Sequence, residues 1–267
     1  MNHLQSFLMI YFCLLIALLP FWHRMFFFNL PFLECQQLFQ NNQEYADLNN
    51  QGLNEHFLKP GDDFLDADMD SDENEILYKY MDQSSTFFEF GSGGSTHQAM
   101  KRGLTIYTVE SSPPFHNLLK QDFAFMNINQ YYQEHYPNKS PNITYITYDL
   151  QLNLSATRND WITYSRSYNH EKYHADLIYI HGNCRDATAL NVYNEIDSST
   201  FVIFQAPLPV VLDYSDKIKE LLSYYELVEN TKCIYVFKKA KSTEPISRSK
   251  IEKVESRSIF YYDNLHG

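Results

Sequence analysis

The feature that most restricts the fold is a glycine-rich turn between a short apolar run and a helical run. The chain has 267 residues and eight glycines, and Gly91, Gly93 and Gly94 fall within four positions. Glycine adopts backbone conformations that other residues avoid, and it lets a ligand approach the main chain closely. The N–H groups at the start of the following helix favour an anion. The segment therefore predicts a strand–turn–helix unit that binds a ligand at its turn.

Around this turn, short β-rich runs alternate with helical stretches. Such alternation predicts an α/β domain with a doubly wound, mostly parallel sheet. The last two runs are separated only by residues 230–232, so they must pair antiparallel. The predicted strands are residues 86–90, 105–109, 143–148, 175–180, 200–205, 226–229 and 233–238. The predicted helices are residues 73–82, 96–102, 114–132, 187–195 and 215–224.

Three acidic residues stand at or near the ends of the first three predicted strands. Glu89 precedes the turn, Glu110 lies 19 positions after Gly91, and Asp149 follows the third strand. The carboxyl ends of parallel strands meet at one crevice, where an acid placed like Glu110 accepts hydrogen bonds from ribose hydroxyls. The alternative is that Glu110 and Asp149 are solvated loop acids.

The same residues favour one class of nucleotide over another. A dinucleotide-binding turn has Gly or Ala at the position of Thr96. Glu89 would also bring negative charge close to a pyrophosphate. That charge suits the ammonium group in the methionine part of S-adenosyl-L-methionine (SAM). Charge complementarity therefore favours SAM over NAD.

The sequence FFEFGSGGST at residues 87–96, with Val109 and Glu110 after it, resembles motifs I and II of class I (Rossmann-like) SAM-dependent methyltransferases. DLIYIHGNCR at residues 176–185 is similar to a later motif of one subgroup. The resemblance covers about residues 72–240. It implies a seven-stranded sheet with an antiparallel last strand, SAM as the cofactor, and methyl transfer to an unknown acceptor. It also implies a set of cofactor-binding residues, namely Glu89, Gly91, Ser92, Gly93, Gly94, Glu110 and Asp149.

The chain departs from this family at His181, where the resemblance implies an aspartate that contributes to a catalytic or metal site. The departure argues against a magnesium-dependent mechanism, and we expect no bound metal. Because histidine titrates near neutral pH, His181 is the candidate general base. The alternatives are a hydrogen-bonded structural histidine and a degraded active site. Two functions remain open: an active methyltransferase, and a catalytically inactive SAM-binding or scaffold domain that keeps the fold.

The N-terminus carries a second strong signal. Residues 7–22 are sixteen residues without a charge. As a helix they would span roughly 24 Å, and extension to residue 28 gives about 33 Å, close to the thickness of a bilayer core. No Lys or Arg precedes the run and no clear cleavage site follows it, which favours an uncleaved membrane anchor over a cleaved secretory signal. A buried helix is the third interpretation.

The side of the membrane is read from two opposing signals. Glycosylation sequons begin at Asn138, Asn142 and Asn153 and favour a lumenal domain. Arg24, just after the apolar run, favours the cytosolic side by the positive-inside rule, but it is a single charge. We expect a membrane-anchored glycoprotein of the endomembrane system with a lumenal domain, or a secreted protein if the segment is cleaved.

Charge and composition complete the domain organisation. The formal net charge is −12, and residues 34–75 alone contain twelve acids and one base. No basic stripe is present, so a nucleic acid is not expected as a partner. We expect an anchor or signal at 1–33, an acidic linker at 34–70, a methyltransferase-like domain at 71–240 and a tail at 241–267. A third hypothesis, a lumenal glycosyltransferase with a metal-binding Asp-x-Asp at residues 66–70, conflicts with the position of those acids inside the linker.

Overall fold

The computed structural model describes residues 64–67, 69–150, 156–206, 214–231, 233–241 and 244–263. The expected anchor or signal at residues 1–33 and most of the acidic linker lie outside these ranges. Among the helices in the described ranges, none is long and apolar enough to cross a membrane.

Seven strands form one sheet. They are β1 Thr86–Phe90, β2 Thr105–Glu110, β3 Asn142–Thr147, β4 Leu177–Ile180, β5 Phe201–Gln205, β6 Tyr225–Asn230 and β7 Ile234–Lys239. Their order across the sheet is β3-β2-β1-β4-β5-β7-β6. The first five strands pair in parallel, and β7 lies between β5 and β6, antiparallel to both. This confirms the predicted α/β, doubly wound, mostly parallel seven-stranded sheet with an antiparallel last strand.

The helices are α1 Ser71–Met81, α2 Gly94–Lys101, α3 Pro113–Phe125, α4 Ile128–His135, α5 Arg158–Ser165, α6 His170–Tyr173, α7 Arg185–Glu195, α8 Tyr214–Leu222 and α9 Arg248–Asp263. The prediction of one helix over residues 114–132 was wrong. Asn127 has a left-handed backbone with φ of +49°, which ends α3 and starts α4. Proline suits the first turn of a helix, because its missing N–H has no partner there, and α3 begins at Pro113.

Helices cover both faces of the sheet. Successive side chains of a strand point to opposite faces. Accordingly, Phe88 and Phe90 pack in one buried cluster with side chains of α5, α7 and α9. Phe87 packs in the other cluster with side chains of α1, α2 and α3. The two layers hold the sheet rigidly, so the carboxyl ends of its parallel strands are fixed relative to one another.

The segment 241–267, interpreted above as a tail, contains a helix that packs on the domain. Ile251 and Val254 of α9 are buried in the same cluster as α5 and α7. Glu255 is 1% exposed. Its carboxylate accepts hydrogen bonds of 2.7 and 2.6 Å from Arg166 and one of 3.0 Å from Asn191. The packed domain therefore continues beyond residue 240.

Residues 64–67, at the end of the expected acidic linker, also pack on the domain, and we call them the strap. Phe64 and Ala67 are buried. Gln98 of α2 donates a 2.8 Å hydrogen bond to the Leu65 carbonyl. The strap lies against the start of α2, directly behind the glycine turn.

Candidate functional site

The glycine turn begins at the carboxyl end of β1. Gly91 has φ of +96°, in the region that favours glycine. Its N–H donates to the Val109 carbonyl at 2.7 Å. A Cβ at Gly91 would lie 3.1 Å from Gly182 and from the His181 ring. Gly91 is therefore required by the close approach of the ends of β1 and β4.

The other two glycines of the turn have different surroundings. Among the described residues, no atom lies within 4 Å of a Cβ built on Gly93. A ligand can approach the main chain from that open side. A Cβ built on Gly94 would lie 1.9 Å from the Asp66 carbonyl oxygen of the strap. Gly94 was predicted to bind the cofactor, and the structure places it against the strap.

Glu89 is fully buried. Its carboxylate accepts a 2.7 Å hydrogen bond from Ser95 Oγ and a second from Thr96 Oγ1. The Thr96 hydroxyl oxygen in turn accepts the Gly93 N–H at 3.0 Å. A buried carboxylate is costly unless it is hydrogen-bonded. The hydroxyls at the start of α2 meet this need, so Glu89 fixes the shape of the turn and adds a negative charge behind it.

Glu110, at the end of β2, lies on the other side of the turn and is 6% exposed. Its Oε2 accepts from Ser92 N at 2.9 Å and from Ser92 Oγ at 2.8 Å. Its Oε1 accepts from the main-chain N–H groups of Ser111 and Ser112 at 2.7 and 2.9 Å, and from Ser111 Oγ at 3.2 Å. The structure thus brings Glu110 and the glycine turn together, as predicted.

Asp149 lies two residues beyond the end of β3, and its side chain is exposed. The chain on either side of it is held against the end of β2. Tyr148 N donates to the Glu110 carbonyl at 2.8 Å, and Leu150 N donates to the Ser111 carbonyl at 3.0 Å. Asp149 is therefore anchored beside Glu110 at the same edge of the sheet, with its carboxylate open to solvent.

His181 follows β4 and is turned towards the glycine turn. Its Nε2 lies 2.9 Å from the Gly91 carbonyl oxygen and 3.7 Å from Glu89 Oε2. A carbonyl oxygen only accepts, so Nε2 is the donor in this hydrogen bond. The ring stacks on Tyr179 with centroids 4.3 Å apart. Burial raises the pKa of Tyr179, which keeps its hydroxyl neutral. Nε2 is thus engaged by the turn, and only Nδ1 can act as a base in this arrangement.

The residues that follow His181 form hydrogen bonds to the ends of neighbouring strands. Gly182 N donates to the Phe90 carbonyl at 2.6 Å. Arg185 donates to the carbonyls of Gly182 and Gln205, each at 2.8 Å. Asn183 Nδ2 donates to Ser111 Oγ at 2.9 Å. These contacts link the ends of β1, β2, β4 and β5 around one crevice.

A buried histidine contacts the end of β3. His116 of α3 has Nδ1 2.6 Å from Thr147 Oγ1, at the end of β3. Burial, aided by the charge of Lys120, lowers the pKa of His116 to about 4. The residue is therefore neutral at neutral pH and ties α3 to the end of β3.

The hydroxyl groups that serve the two buried acids were not predicted in that role from the sequence. They belong to Ser92, Ser95, Thr96 and Ser111. Ser92 was predicted only as part of the glycine turn. A signal was present, because serine and threonine cluster immediately after Gly91 and after Glu110. Hydroxyls of this kind commonly bond to nearby carboxylates and main-chain groups.

Comparison with known proteins adds a fold-level likeness. No family model and no curated protein matches the sequence. A methyltransferase-like protein from Silicibacter pomeroyi is 16% identical, with a TM-score of 0.53, and the match covers 71% of this chain and 95% of that one. A TehB-like SAM-dependent methyltransferase from Corynebacterium glutamicum is 11% identical, covers 75% and 97% of the two chains and has a TM-score of 0.41. An SAH-bound methyltransferase from Podospora anserina is 12% identical, covers 65% and 80% and has a TM-score of 0.39.

The first of these likenesses, together with the strand order, defines the class of fold. The chain has the Rossmann-like α/β fold of class I methyltransferases. A fold of this kind hosts several chemistries, so the function has to be argued from the site.

Proposed function

We propose that the chain is a SAM-dependent methyltransferase-like protein that holds SAM at the carboxyl ends of β1, β2 and β3. The observation that carries the proposal is the pairing of an open glycine turn with a buried acid. Among the residues that the structure describes, none lies within 4 Å of a Cβ built on Gly93, and Glu110 lies on the far side of Ser92. Ligands of open α/β sheets bind in the crevice at this edge.

The residues present fit SAM at both ends. Glu110 and the exposed Asp149 supply acceptors for the ribose hydroxyls and the adenine amine. Glu89 lies behind the turn with no exposed surface, so it favours the cationic methionine part through its charge and positions Ser95 and Thr96. The same charge disfavours a pyrophosphate, which argues against NAD.

When bound, SAM supplies an electrophilic methyl group on a sulfonium sulfur for in-line attack by an acceptor. The chain's own residues mainly position the reactants and exclude water. His181 Nδ1 is the candidate base for a proton on the acceptor, and the Nε2 hydrogen bond to Gly91 fixes the ring.

The second candidate is a catalytically inactive SAM-binding or scaffold domain. One observation favours it: Nε2 of His181 and the face of its ring are engaged by Gly91 and Tyr179. Such contacts are what a structural histidine makes. Incubation of the full chain with methyl-labelled SAM and candidate acceptors separates the two, because an inactive domain binds SAM and transfers no label.

Binding is tested by calorimetric titration of the full chain with SAM, with its demethylated product, and with NAD. We expect both SAM and the product to bind and NAD to fail. In the Gly93→Arg variant a long side chain fills the open side of the turn, and both ligands should lose binding. Tight binding of NAD, or binding of SAM that survives in the variant, would contradict the proposed site.

We propose a membrane anchor at residues 1–33, a lumenal domain and an unidentified methyl acceptor, and the uncharged run at residues 7–22 and the three sequons support the first two. A glycosidase-dependent shift in electrophoretic mobility tests the lumenal location. An unchanged mobility with the chain in the membrane fraction would favour the cytosolic side.

A further inference from the structure

The carboxylate of Glu110 has more donors around it than it can fully accommodate. Three main-chain N–H groups and two serine hydroxyls point at its two oxygens. A carboxylate offers about four lone-pair sites. A ribose hydroxyl that binds Glu110 must therefore displace a donor that is already there.

The main-chain donors cannot leave without moving the turn or the end of β2. The N–H of Ser92 lies within the glycine turn, and those of Ser111 and Ser112 belong to the chain that leaves β2. The hydroxyls can leave, because each swings away by rotation about one side-chain bond. Ser111 Oγ is the more weakly held of the two at 3.2 Å, and it keeps a hydrogen bond from Asn183 Nδ2.

Ser92 Oγ is the strong competitor. Its hydrogen bond to Glu110 Oε2 is 2.8 Å long and has a charged acceptor. Hydrogen bonds to charged groups are stronger than those between neutral groups. Ser92 also stands between Gly91 and Gly93, at the edge of the crevice where the turn is open.

We propose that the Ser92 hydroxyl occupies, in the free protein, the place on Glu110 that a ribose hydroxyl takes when an adenine nucleoside binds. The inference rests on the proposed function, since it assumes that Glu110 holds the ribose. Ser92 is then a positioning residue that keeps Glu110 hydrogen-bonded in the free state. It also lowers the affinity for ligands with a ribose diol, because its hydrogen bond must break before they bind.

The test compares hydroxyl-free variants of the full chain in calorimetric titrations with adenosine and with its dideoxy analogue, which lacks both ribose hydroxyls. Ser92→Ala should bind adenosine about tenfold more tightly than the wild type, the affinity equivalent of one charged hydrogen bond. Ser92→Gly removes the same hydroxyl in a turn that tolerates glycine, and it should give the same gain. Neither variant should change the affinity for the dideoxy analogue.

Ser84→Ala is the matched control. Its hydroxyl donates to the Tyr80 carbonyl at 2.8 Å, before the amino end of β1, so its removal should leave adenosine affinity unchanged. Equal or weaker adenosine binding by both Ser92 variants would overturn the inference while leaving the proposed function intact. An equal gain for the dideoxy analogue would also overturn it. Failure of the wild type and of every variant to bind adenosine or SAM would overturn both proposals.

Discussion

Replacing Gly94 with alanine should detach the strap from the start of α2. The new Cβ would lie 1.9 Å from the Asp66 carbonyl oxygen, 2.6 Å from the Asp66 carbonyl carbon and 2.9 Å from Ala67 Cα. All three are main-chain atoms, so no side-chain rotation relieves the clash. Either α2 or the strap has to move, and α2 is held by the fully buried Ala99 and Met100, whereas Leu65 of the strap is 40% exposed.

The loss of stability in Gly94→Ala can be estimated for the two ways of accommodating the new Cβ, which are strain at the contact and release of the strap. Forcing extra atoms into a packed site costs about 1–3 kcal/mol. Releasing the strap exposes Phe64, which is 7% exposed in the native state, and full burial of such a side chain stabilises by about 2 kcal/mol. Alanine favours the helix over glycine by at most about 1 kcal/mol. We therefore expect Gly94→Ala to lower the free energy of unfolding by about 1–2 kcal/mol.

The assay is a double-mutant cycle with Phe64→Ala, measured by urea unfolding of the full chain. If Gly94→Ala releases the strap, the Phe64 ring is already exposed, and its removal in that background should cost almost nothing. The same removal in the wild type should cost about 2 kcal/mol, which is the stabilisation that burial of the ring provides. Hydrogen exchange of the peptide that contains residues 64–67 should become faster in Gly94→Ala. Additive effects of the two substitutions, or unchanged stability of Gly94→Ala, would refute the packing of the strap on α2.

Three further predictions concern other parts of the domain, and each is checked by urea unfolding. His181→Asp replaces a donor to the Gly91 carbonyl by a carboxylate near Glu89, so it should destabilise the fold by about 1–3 kcal/mol. A variant as stable as the wild type would contradict the hydrogen bond between His181 and Gly91. Glu255→Ala should lower the free energy of unfolding by about 2 kcal/mol. The cost is not larger because its partner Arg166 is 34% exposed and can partly return to water. Glu252→Ala, on the exposed face of α9, should cost less than about 0.5 kcal/mol. Equal costs at the two positions would argue against docking of α9. The pKa of His116 is lowered from 6.5 to about 4 in the native protein. As the pH falls, His116 therefore becomes protonated at a higher pH in the unfolded chain than in the native one. Stability should fall as the pH drops from about 6.5 to about 4. The loss of stability is on the order of 3 kcal/mol and should be absent from His116→Gln. Identical profiles of stability against pH for the wild type and this variant would contradict the prediction.

The parts of the fold that the sequence predicts are those set by local pattern. Residues 86–90 were predicted with their observed bounds, because β-rich residues end there at a glycine turn. The helix predicted at residues 96–102 is followed by Gly103, whose left-handed backbone with φ of +68° is typical of the residue after a helix end. The short connection at residues 230–232 was sufficient to predict the antiparallel pairing of β6 and β7.

The missed elements depend on tertiary contacts or on weak local signals. The apolar residues of helix α5 are too few on one face to predict a helix from their spacing. Thr157 and Asp160 form a capping box that could have marked the start of this helix. Helix α9 is mostly polar in sequence, and its packing depends on the distant Arg166, which no local pattern reveals. The break at Asn127 could not be read from an uninterrupted helical pattern.

The residues of the site divide in the same way, into those that local spacing predicts and those whose roles depend on tertiary contacts. Glu110 was located by its spacing from the turn, since strand length and crossover geometry fix that distance. The role of Gly94 could not be anticipated, because it depends on the strap lying across α2. The orientation of His181 depends on the approach of β4 to β1, so its sequence position indicated a base without indicating which nitrogen the turn engages.

The most direct test of the proposed cofactor site is the dissociation constant of the demethylated SAM product, measured by calorimetry for the full chain and for Glu110→Gln. The charged acceptor of the ribose is lost in this variant, so binding should weaken about tenfold or more. Glu226→Gln, an exposed position on β6, should bind as the wild type does. Equal affinity for the wild type and Glu110→Gln, or no binding by the wild type, would contradict a SAM site at the ends of β1 and β2.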